Sequence, residues 1–300
     1  GMGANETLLG EAFHDRRDKV FIATKFGPIR DPETGAFVGI DGSRANCRRA
    51  VEGSLKRLQT DVIDLYYLHR VDPATPIEET VAAMAELVAE GKVRAIGLSE
   101  AAAATRRRAA EVHPISAVQS EYSIFSRDIE DSVIPACLEV GATLVAYSPL
   151  GRGMLSGRFK QDVRPAEGDF RTLTPRFQGD AYEANVALVA EIEALASVKS
   201  CKPAEVALAW VLGRGDHVAG VLGADRVDFL VGQSGDHRLH GGGQSVGALA
   251  VADVLDLGRG VSGVLAGQLG VGGHDRGLGV HAVAGATQLA LVQFAAIGGT

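Results

Sequence analysis

The stretch Asp61-Val62-Ile63-Asp64-Leu65-Tyr66-Tyr67-Leu68-His69-Arg70-Val71-Asp72 decides the fold. Its apolar run over 63–68 predicts a buried strand, which ends abruptly in His69 followed by charge. Barrels of alternating strands and helices build their active sites from polar residues at the carboxyl ends of buried strands. Taken alone, His69 is better interpreted as a core histidine with satisfied hydrogen bonds, so the decision depends on how the other strands end.

The composition limits the classes of function. With 300 residues, 46% of them hydrophobic, the chain can form one large core, and such barrels commonly take about 250 residues. The net charge of −7 argues against a general nucleic-acid binder, which would carry a basic patch. Cys47, Cys137 and Cys201 are scattered without metal-binding spacing, which favours a reducing compartment and no zinc site.

The sequence shows no signal for a membrane. No apolar run reaches the roughly 20 residues that cross a bilayer. The first residues lack the charged and apolar regions of a signal peptide. We therefore expect a cytoplasmic protein with no membrane partner, and the charge predicts no nucleic-acid partner.

Strand and helix patterns alternate along the chain with short links, which predicts a parallel sheet with right-handed crossovers. A closed barrel of this type needs eight strands, and we count five clear ones and a weak sixth. The loop over 152–179 exceeds the usual linker length, which favours a functional role. The predicted strands cover 19–27, 63–68, 92–98, 116–118, 142–146 and, weakly, 217–222. The predicted helices cover 7–16, 44–58, 77–90, 101–112, 129–140, 183–198 and 204–212.

Polar residues follow all five clear strands. In a parallel sheet the carboxyl ends of the strands lie along one edge, so these residues are expected to meet there. One polar strand end is ordinary, but five in succession predict a polar site at the carboxyl rim of a barrel. The five strand ends are Lys25, His69, Ser99-Glu100, Gln119 and Tyr147.

Seven motifs, in order over roughly residues 3–217, resemble those of aldo-keto reductases. No single motif is decisive, but the ordered set is highly specific. The motifs are Ile22-Ala23-Thr24-Lys25-Phe26-Gly27, Ser54-Leu55-Lys56-Arg57-Leu58, Asp64-Leu65-Tyr66-Tyr67-Leu68-His69, Gly91-Lys92-Val93-Arg94, Ile96-Gly97-Leu98-Ser99, Gln119-Ser120-Glu121-Tyr122 and Ala146-Tyr147-Ser148-Pro149-Leu150-Gly151.

The resemblance implies a (β/α)8 TIM barrel that reduces aldehydes or ketones to alcohols with NADPH. A small-molecule carbonyl substrate is then the expected partner, and the sequence leaves the oligomeric state open. Lys25 matches the lysine that lowers the pKa of a proton-donating tyrosine, because its positive charge favours the phenolate. His69 matches the histidine that orients and polarises the substrate carbonyl.

The resemblance also implies a cofactor site. Gln119 matches the side-chain amide that holds the nicotinamide carboxamide, and Ser99 matches a residue near that group. Tyr147 matches the aromatic ring that stacks on the nicotinamide. The loop over the pyrophosphate is matched by Ser148, Leu150, Gly151 and Gly153.

The sequence departs from the family pattern at its start. The family motif Asp-Thr-Ala-x-x-Tyr-Gly, which carries the catalytic aspartate and tyrosine, would stand before Gly1. We therefore expect an incomplete barrel, with the first two strands missing, and impaired catalysis. Tyr66, Tyr67 and Tyr122 do not match the catalytic position. Glu100 stands where an Asn is common.

The composition changes again at Gly213. From this residue onward the chain holds 22 of its 38 Gly and no Lys, Glu, Asn, Pro, Tyr, Trp, Cys or Met. We expect a partial aldo-keto reductase barrel over 1–222 and a Gly-rich tail of doubtful homology, poorly ordered, over 223–300. We hypothesise that this tail is out-of-frame sequence. Arg226 is its one candidate contact for the 2′-phosphate of NADPH, beside Asp225, which would repel a phosphate. Gly258–Gly263 matches Gly-x-Gly-x-x-Gly, as chance allows in such a tail.

Two other functions remain open at this point. One is a non-catalytic barrel that binds a nucleotide or a partner protein, related to the channel-associated regulatory subunits of the family. The other is an unrelated phosphate-binding barrel enzyme, which the ordered motifs disfavour. Titration with NADPH followed by a turnover assay discriminates between a catalytic and a non-catalytic barrel.

Overall fold

The computed structural model describes residues 3–221 and Leu291–Val292. These residues divide into two units. The first comprises 3–149, 216–221 and 291–292, and the second comprises 150–215. Within this part of the chain, no helix has the length and apolar character to cross a membrane.

The first unit is built on one parallel sheet of seven strands. The strands are β1 Phe21–Phe26, β4 Ile63–Leu68, β5 Val93–Ser99, β6 Ala117–Glu121, β7 Thr143–Tyr147, β8 Val218–Gly220 and β9 Leu291–Val292. Their spatial order is β8-β7-β6-β5-β4-β1-β9, so consecutive strands along the chain are neighbours from β4 to β8. Every pairing in the sheet is parallel.

Helices connect the strands of this sheet. Ser43 caps the longest one by accepting a hydrogen bond at 3.3 Å from the backbone N–H of Asn46. Before β1, a 3₁₀ turn covers His14–Lys19. The helices are α1 Ala4–Phe13, α2 Arg44–Leu58, α3 Ile77–Ala89, α4 Ala103–Val112 and α5 Val133–Glu139.

The second unit is helical. It contains α6 Gly179–Val198 and α7 Pro203–Leu212, preceded by 3₁₀ turns at Gly151–Ser156, Phe170–Leu173 and Pro175–Phe177. The predicted loop over 152–179 is therefore partly structured. Tyr182 fixes one of its bends, because its hydroxyl lies 2.7 and 2.5 Å from the carbonyl oxygens of Lys160 and Val163 and shares its one proton between them.

A buried aspartate fixes the amino end of β4, the strand that leads to His69. Asp64 is 1% exposed. One of its oxygens accepts from the Ile22 backbone N–H at 2.8 Å and from Arg17 at 2.6 Å, and the other accepts from Arg94 at 2.6 Å. Because the charge is paired and hydrogen-bonded, the cost of burying it is offset. This contact sets the position of β4 against β1 and β5.

Five predictions about local structure were wrong or incomplete. The helix predicted over 7–16 is α1, Ala4–Phe13. The predicted loop after β1 contains an antiparallel hairpin, β2 Pro28–Arg30 with β3 Phe37–Ile40. Helix α5 begins four residues later than predicted, and α6 begins at Gly179 instead of 183. The weak strand over 217–222 forms as the three-residue β8. The predicted boundary between 222 and 223, and the tail after it, lie outside the described residues except for β9.

Candidate active site

The register of the sheet places the five predicted site residues on one face. Residues two apart along a strand share a face, and so do residues opposite each other in neighbouring parallel strands. Lys25 is opposite Tyr67, and Tyr67 is opposite Gly97. The same rows run on through β6 and β7, so the odd-numbered residues face one way. At the carboxyl end of this face lie Lys25, His69, Ser99, Gln119 and Tyr147.

The floor of this face is apolar. Its buried cluster contains Ala23, Leu65, Tyr67, Ala117, Val145 and Val221, with Tyr147 packed against it. Gly97 makes room for the Tyr67 ring, since a Cβ at Gly97 would lie 2.5 Å from that ring. The polar residues therefore sit on a dry, packed layer, where electrostatic interactions are stronger than in water.

Lys25 places a positive charge beside this apolar floor. Its Nζ lies 5.8 Å from the centre of the Tyr67 ring, which is within the range of a cation–π contact. Burial, with a smaller contribution from the charge of Arg70, lowers the pKa of Lys25 from 10.5 to about 8. Lys25 is therefore mostly protonated at neutral pH, but within about one pH unit of releasing its proton.

His69 directly follows Leu68, the last paired residue of β4. Its backbone N–H donates to the carbonyl oxygen of Phe26 at 2.8 Å, which fixes it beside the end of β1. Burial, followed by the charges of Lys25 and Arg70, lowers the pKa of the imidazole to about 4. At neutral pH the ring is uncharged, so it can donate one hydrogen bond and accept another.

Ser99 and Gln119 form the buried middle of the site. They are opposite each other in the β5–β6 register and are 1% and 4% exposed. Sequence reasoning missed a third residue, Arg70. Its Nη1 donates to the carbonyl oxygen of His69 at 2.8 Å and to the Ser99 Oγ at 3.2 Å. Its position next to His69 was the one signal in the sequence that could have identified it.

Carboxylates surround the tyrosine at the end of β7. Burial, then the charges of Glu100 and Glu121, raise the pKa of Tyr147 to about 12. Glu100 adopts a left-handed backbone conformation with φ of 55°, and its Oε1 accepts from the Glu121 backbone N–H at 3.0 Å. The residue that replaces the family's common Asn is thus held in place at this edge of the sheet.

The predicted pyrophosphate loop contains several left-handed residues. Ser148, at the end of the first unit, has φ of 52°. In the second unit, Leu150 precedes Gly151 and Gly153, whose φ values are 57° and 90°. Glycine suits these conformations because it has no Cβ. Arg226, the predicted 2′-phosphate contact, lies outside the described residues.

A model of the Aldo/keto reductase family matches residues 1–235. The chain belongs to this family. Its curated relatives include the aldo-keto reductase yakc of Schizosaccharomyces pombe, whose name specifies NADP(+). That protein is 45% identical over 235 residues, which are 77% of this chain and 69% of the relative.

Solved structures of the family share the fold. The glycerol dehydrogenase from Gluconobacter oxydans aligns with a TM-score of 0.74 and 26% identity, over 92% of this chain and 81% of its own. The holo form of an aldo-keto reductase from Bacillus halodurans gives 0.58 and 30%, over 73% and 67%. A thermostable aldo-keto reductase with the inhibitor epalrestat gives 0.56 and 32%, over 74% and 68%. The predicted incomplete barrel of this family is therefore confirmed.

Proposed function

We propose that the carboxyl edge of the sheet binds NADPH and a small aldehyde or ketone, and that the site serves to reduce the carbonyl to an alcohol. The observation that carries the proposal is the common face of Lys25, His69, Ser99, Gln119 and Tyr147 at one edge of the sheet. The name of the yeast relative supports the choice of the phosphorylated cofactor.

The side chains present suit the nicotinamide end of such a cofactor. A carboxamide offers one acceptor oxygen and one donor NH₂ group, and the neighbouring Ser99 and Gln119 supply both kinds of partner. Tyr147 offers a half-buried aromatic ring two residues beyond Val145, the residue opposite Gln119. NADPH, when bound, supplies the hydride.

The protein's own residues then prepare the carbonyl. His69, neutral because of its lowered pKa, can donate a hydrogen bond to the carbonyl oxygen without carrying a charge into the site. Lys25 places a positive charge beside the same apolar floor, where developing negative charge is stabilised. The remaining step is the protonation of the alkoxide, which needs a proton donor.

Four of the chain's five tyrosines have a raised pKa, whereas an activated donor needs a lowered one. The pKa values of Tyr66 and Tyr67 are raised by burial. The Tyr122 hydroxyl donates to Glu130 at 2.8 Å, which commits it elsewhere. The pKa values of Tyr147 and Tyr182 are also raised. We therefore propose that this 300-residue chain turns over slowly, by about 10²–10⁴-fold relative to an enzyme with a positioned general acid.

The same observation favours a second function, a non-catalytic barrel that binds the nucleotide or a partner protein. A site with a neutral histidine, a lysine and the Ser99–Gln119 pair can bind a cofactor without reducing a substrate. A cytoplasmic location belongs to the same proposal. It is supported by the free thiols of Cys47, Cys137 and Cys201, which suit a reducing compartment.

Fluorescence titration with NADPH, followed by a turnover assay with an aromatic aldehyde, tests the proposal. We expect saturable binding and slow oxidation of NADPH that His69→Gln reduces at least tenfold. His14→Gln, which changes an exposed histidine of the 3₁₀ turn, is the matched control and should change neither quantity. Binding without measurable turnover would favour the non-catalytic barrel. Turnover that survives His69→Gln unchanged would overturn the site assignment.

A further inference from the structure

The proposed roles of Lys25, His69, Ser99, Gln119 and Tyr147 leave the only arginine described at this site, Arg70, without a function. Arg70 directly follows His69, and its guanidinium reaches back over the edge of the sheet. It donates a hydrogen bond to the Ser99 Oγ at the carboxyl end of β5, 29 positions further along the chain. Its charge also contributes to the lowered pKa values of Lys25 and His69, and it offsets part of the rise in the pKa of Tyr147. One side chain thus acts on four residues of the site.

The backbone around Arg70 is firmly held. Asp72, 6% exposed, accepts from the backbone N–H groups of Gly42 and Ala74 and from the Thr75 hydroxyl, each at 2.8 Å. A Cβ at Gly42 would lie 2.9 Å from the Asp72 Cβ, so this loop is also closely packed. Arg70 therefore leaves the strand from a fixed point, and its side chain bridges two fixed acceptors.

The direction of the hydrogen bond from Arg70 determines what Ser99 can do. A hydroxyl has one proton to donate and two lone pairs that accept. An arginine only donates, so it occupies a lone pair of the Ser99 Oγ and leaves the hydroxyl proton free. Ser99 is 1% exposed and lies on the face of the site, so that proton is available to an acceptor bound there.

We propose that Arg70 is a positioning residue, which holds Ser99 as a hydrogen-bond donor toward the carbonyl oxygen of the cofactor's carboxamide and ties the ends of β4 and β5 together. The inference rests on the proposed binding of NADPH at this edge. The charge of Arg70 has a second effect, because after burial and the charge of Lys25 it helps to lower the pKa of the His69 imidazole.

A double-mutant cycle tests the route through Ser99. We expect Arg70→Met and Ser99→Ala each to weaken NADPH binding about tenfold, as the loss of one hydrogen bond to a charged group allows. The double variant should bind NADPH as tightly as the single variant with the lower affinity, because both changes remove the same interaction. Additive losses would overturn the proposed route. Arg44→Met, which removes an exposed arginine of α2 outside the site, is the matched control.

A second readout needs no cofactor. The imidazole titration of His69, followed by NMR, should move to higher pH in Arg70→Met and stay low in Arg70→Lys, which keeps the charge. Arg70→Lys should still weaken NADPH binding, because lysine lacks the fixed fork of arginine. A purely structural role for Arg70 would leave the imidazole titration of the folded variants unchanged, and that result would overturn the inference.

The two proposals fail in different ways. If the wild-type chain does not bind NADPH, the proposed function and this inference both fail. If the wild type binds NADPH and Ser99→Ala weakens the binding, while Arg70→Met binds as tightly as the wild type, the inference alone fails. Thermal melts of each variant show whether weakened binding reflects loss of the fold.

Discussion

Replacing Lys25 by methionine is expected to stabilise the protein at neutral pH, although it removes a proposed catalytic group. The lowered pKa means that folding disfavours the charged form of this lysine. A shift from 10.5 to about 8 corresponds to about 3 kcal/mol at 1.36 kcal/mol per unit. Lys25 keeps some exposure to solvent, which screens its charge, so this value is an upper limit. Methionine has a similar length and no charge to desolvate.

The pH dependence separates this effect from a change in packing. Between about pH 8 and pH 10.5 the unfolded chain binds more protons at Lys25 than the folded chain, so the wild type gains stability as the pH rises. Urea denaturation of both proteins at pH 7 and pH 10 should show a large advantage of Lys25→Met at the lower pH and little at the higher. An equal difference at both values, or a less stable variant at pH 7, would refute the reasoning.

Three further changes test the parts of the fold that position the site. As the pH falls from 6.5 to 4, the wild type should lose up to about 3 kcal/mol of stability, because the unfolded chain binds a proton at His69 that the folded chain does not. His69→Gln should abolish this loss, and urea denaturation at pH 6.5 and pH 4 measures it. Asp64→Asn should cost about 3 kcal/mol by urea denaturation, because it breaks a buried ion pair, while loss of the exposed partner in Arg94→Ala should cost under about 1 kcal/mol. Gly97→Ala should lower stability by about 2 kcal/mol through the clash with the tyrosine ring, whereas Gly39→Ala, with open space around it, should be neutral in the same assay.

The elements nearest the site were predictable because their signals are local. The apolar run of β4 has the predicted bounds Ile63–Leu68, and Ser43 marks the start of α2 as a capping residue should. The hairpin β2–β3 was missed for a physical reason. Its strands are short and carry exposed residues, such as Phe37 and Val38, so they show no buried face in the sequence.

The candidate site was predictable as a set of strand ends, and its internal contacts were not. The alternation of the strands was enough to predict that Lys25, His69 and Gln119 meet at one edge. The role of Arg70 depends on a hydrogen bond to Ser99 across two strands, and no local pattern encodes that contact. Likewise, the lowered pKa of His69 arises from burial, from the charge of Lys25 on β1 and from the charge of the adjacent Arg70, and the first two depend on the fold.

The central claim is that the polar edge of the sheet holds the nicotinamide end of NADPH. Fluorescence titration of NADPH against wild type and Gln119→Leu tests it most directly, with Gln161→Leu as a control at an exposed glutamine. We predict saturable binding to the wild type and the control, and binding at least tenfold weaker to Gln119→Leu. The claim is contradicted if the wild type does not bind, or if a folded Gln119→Leu binds as tightly as the wild type.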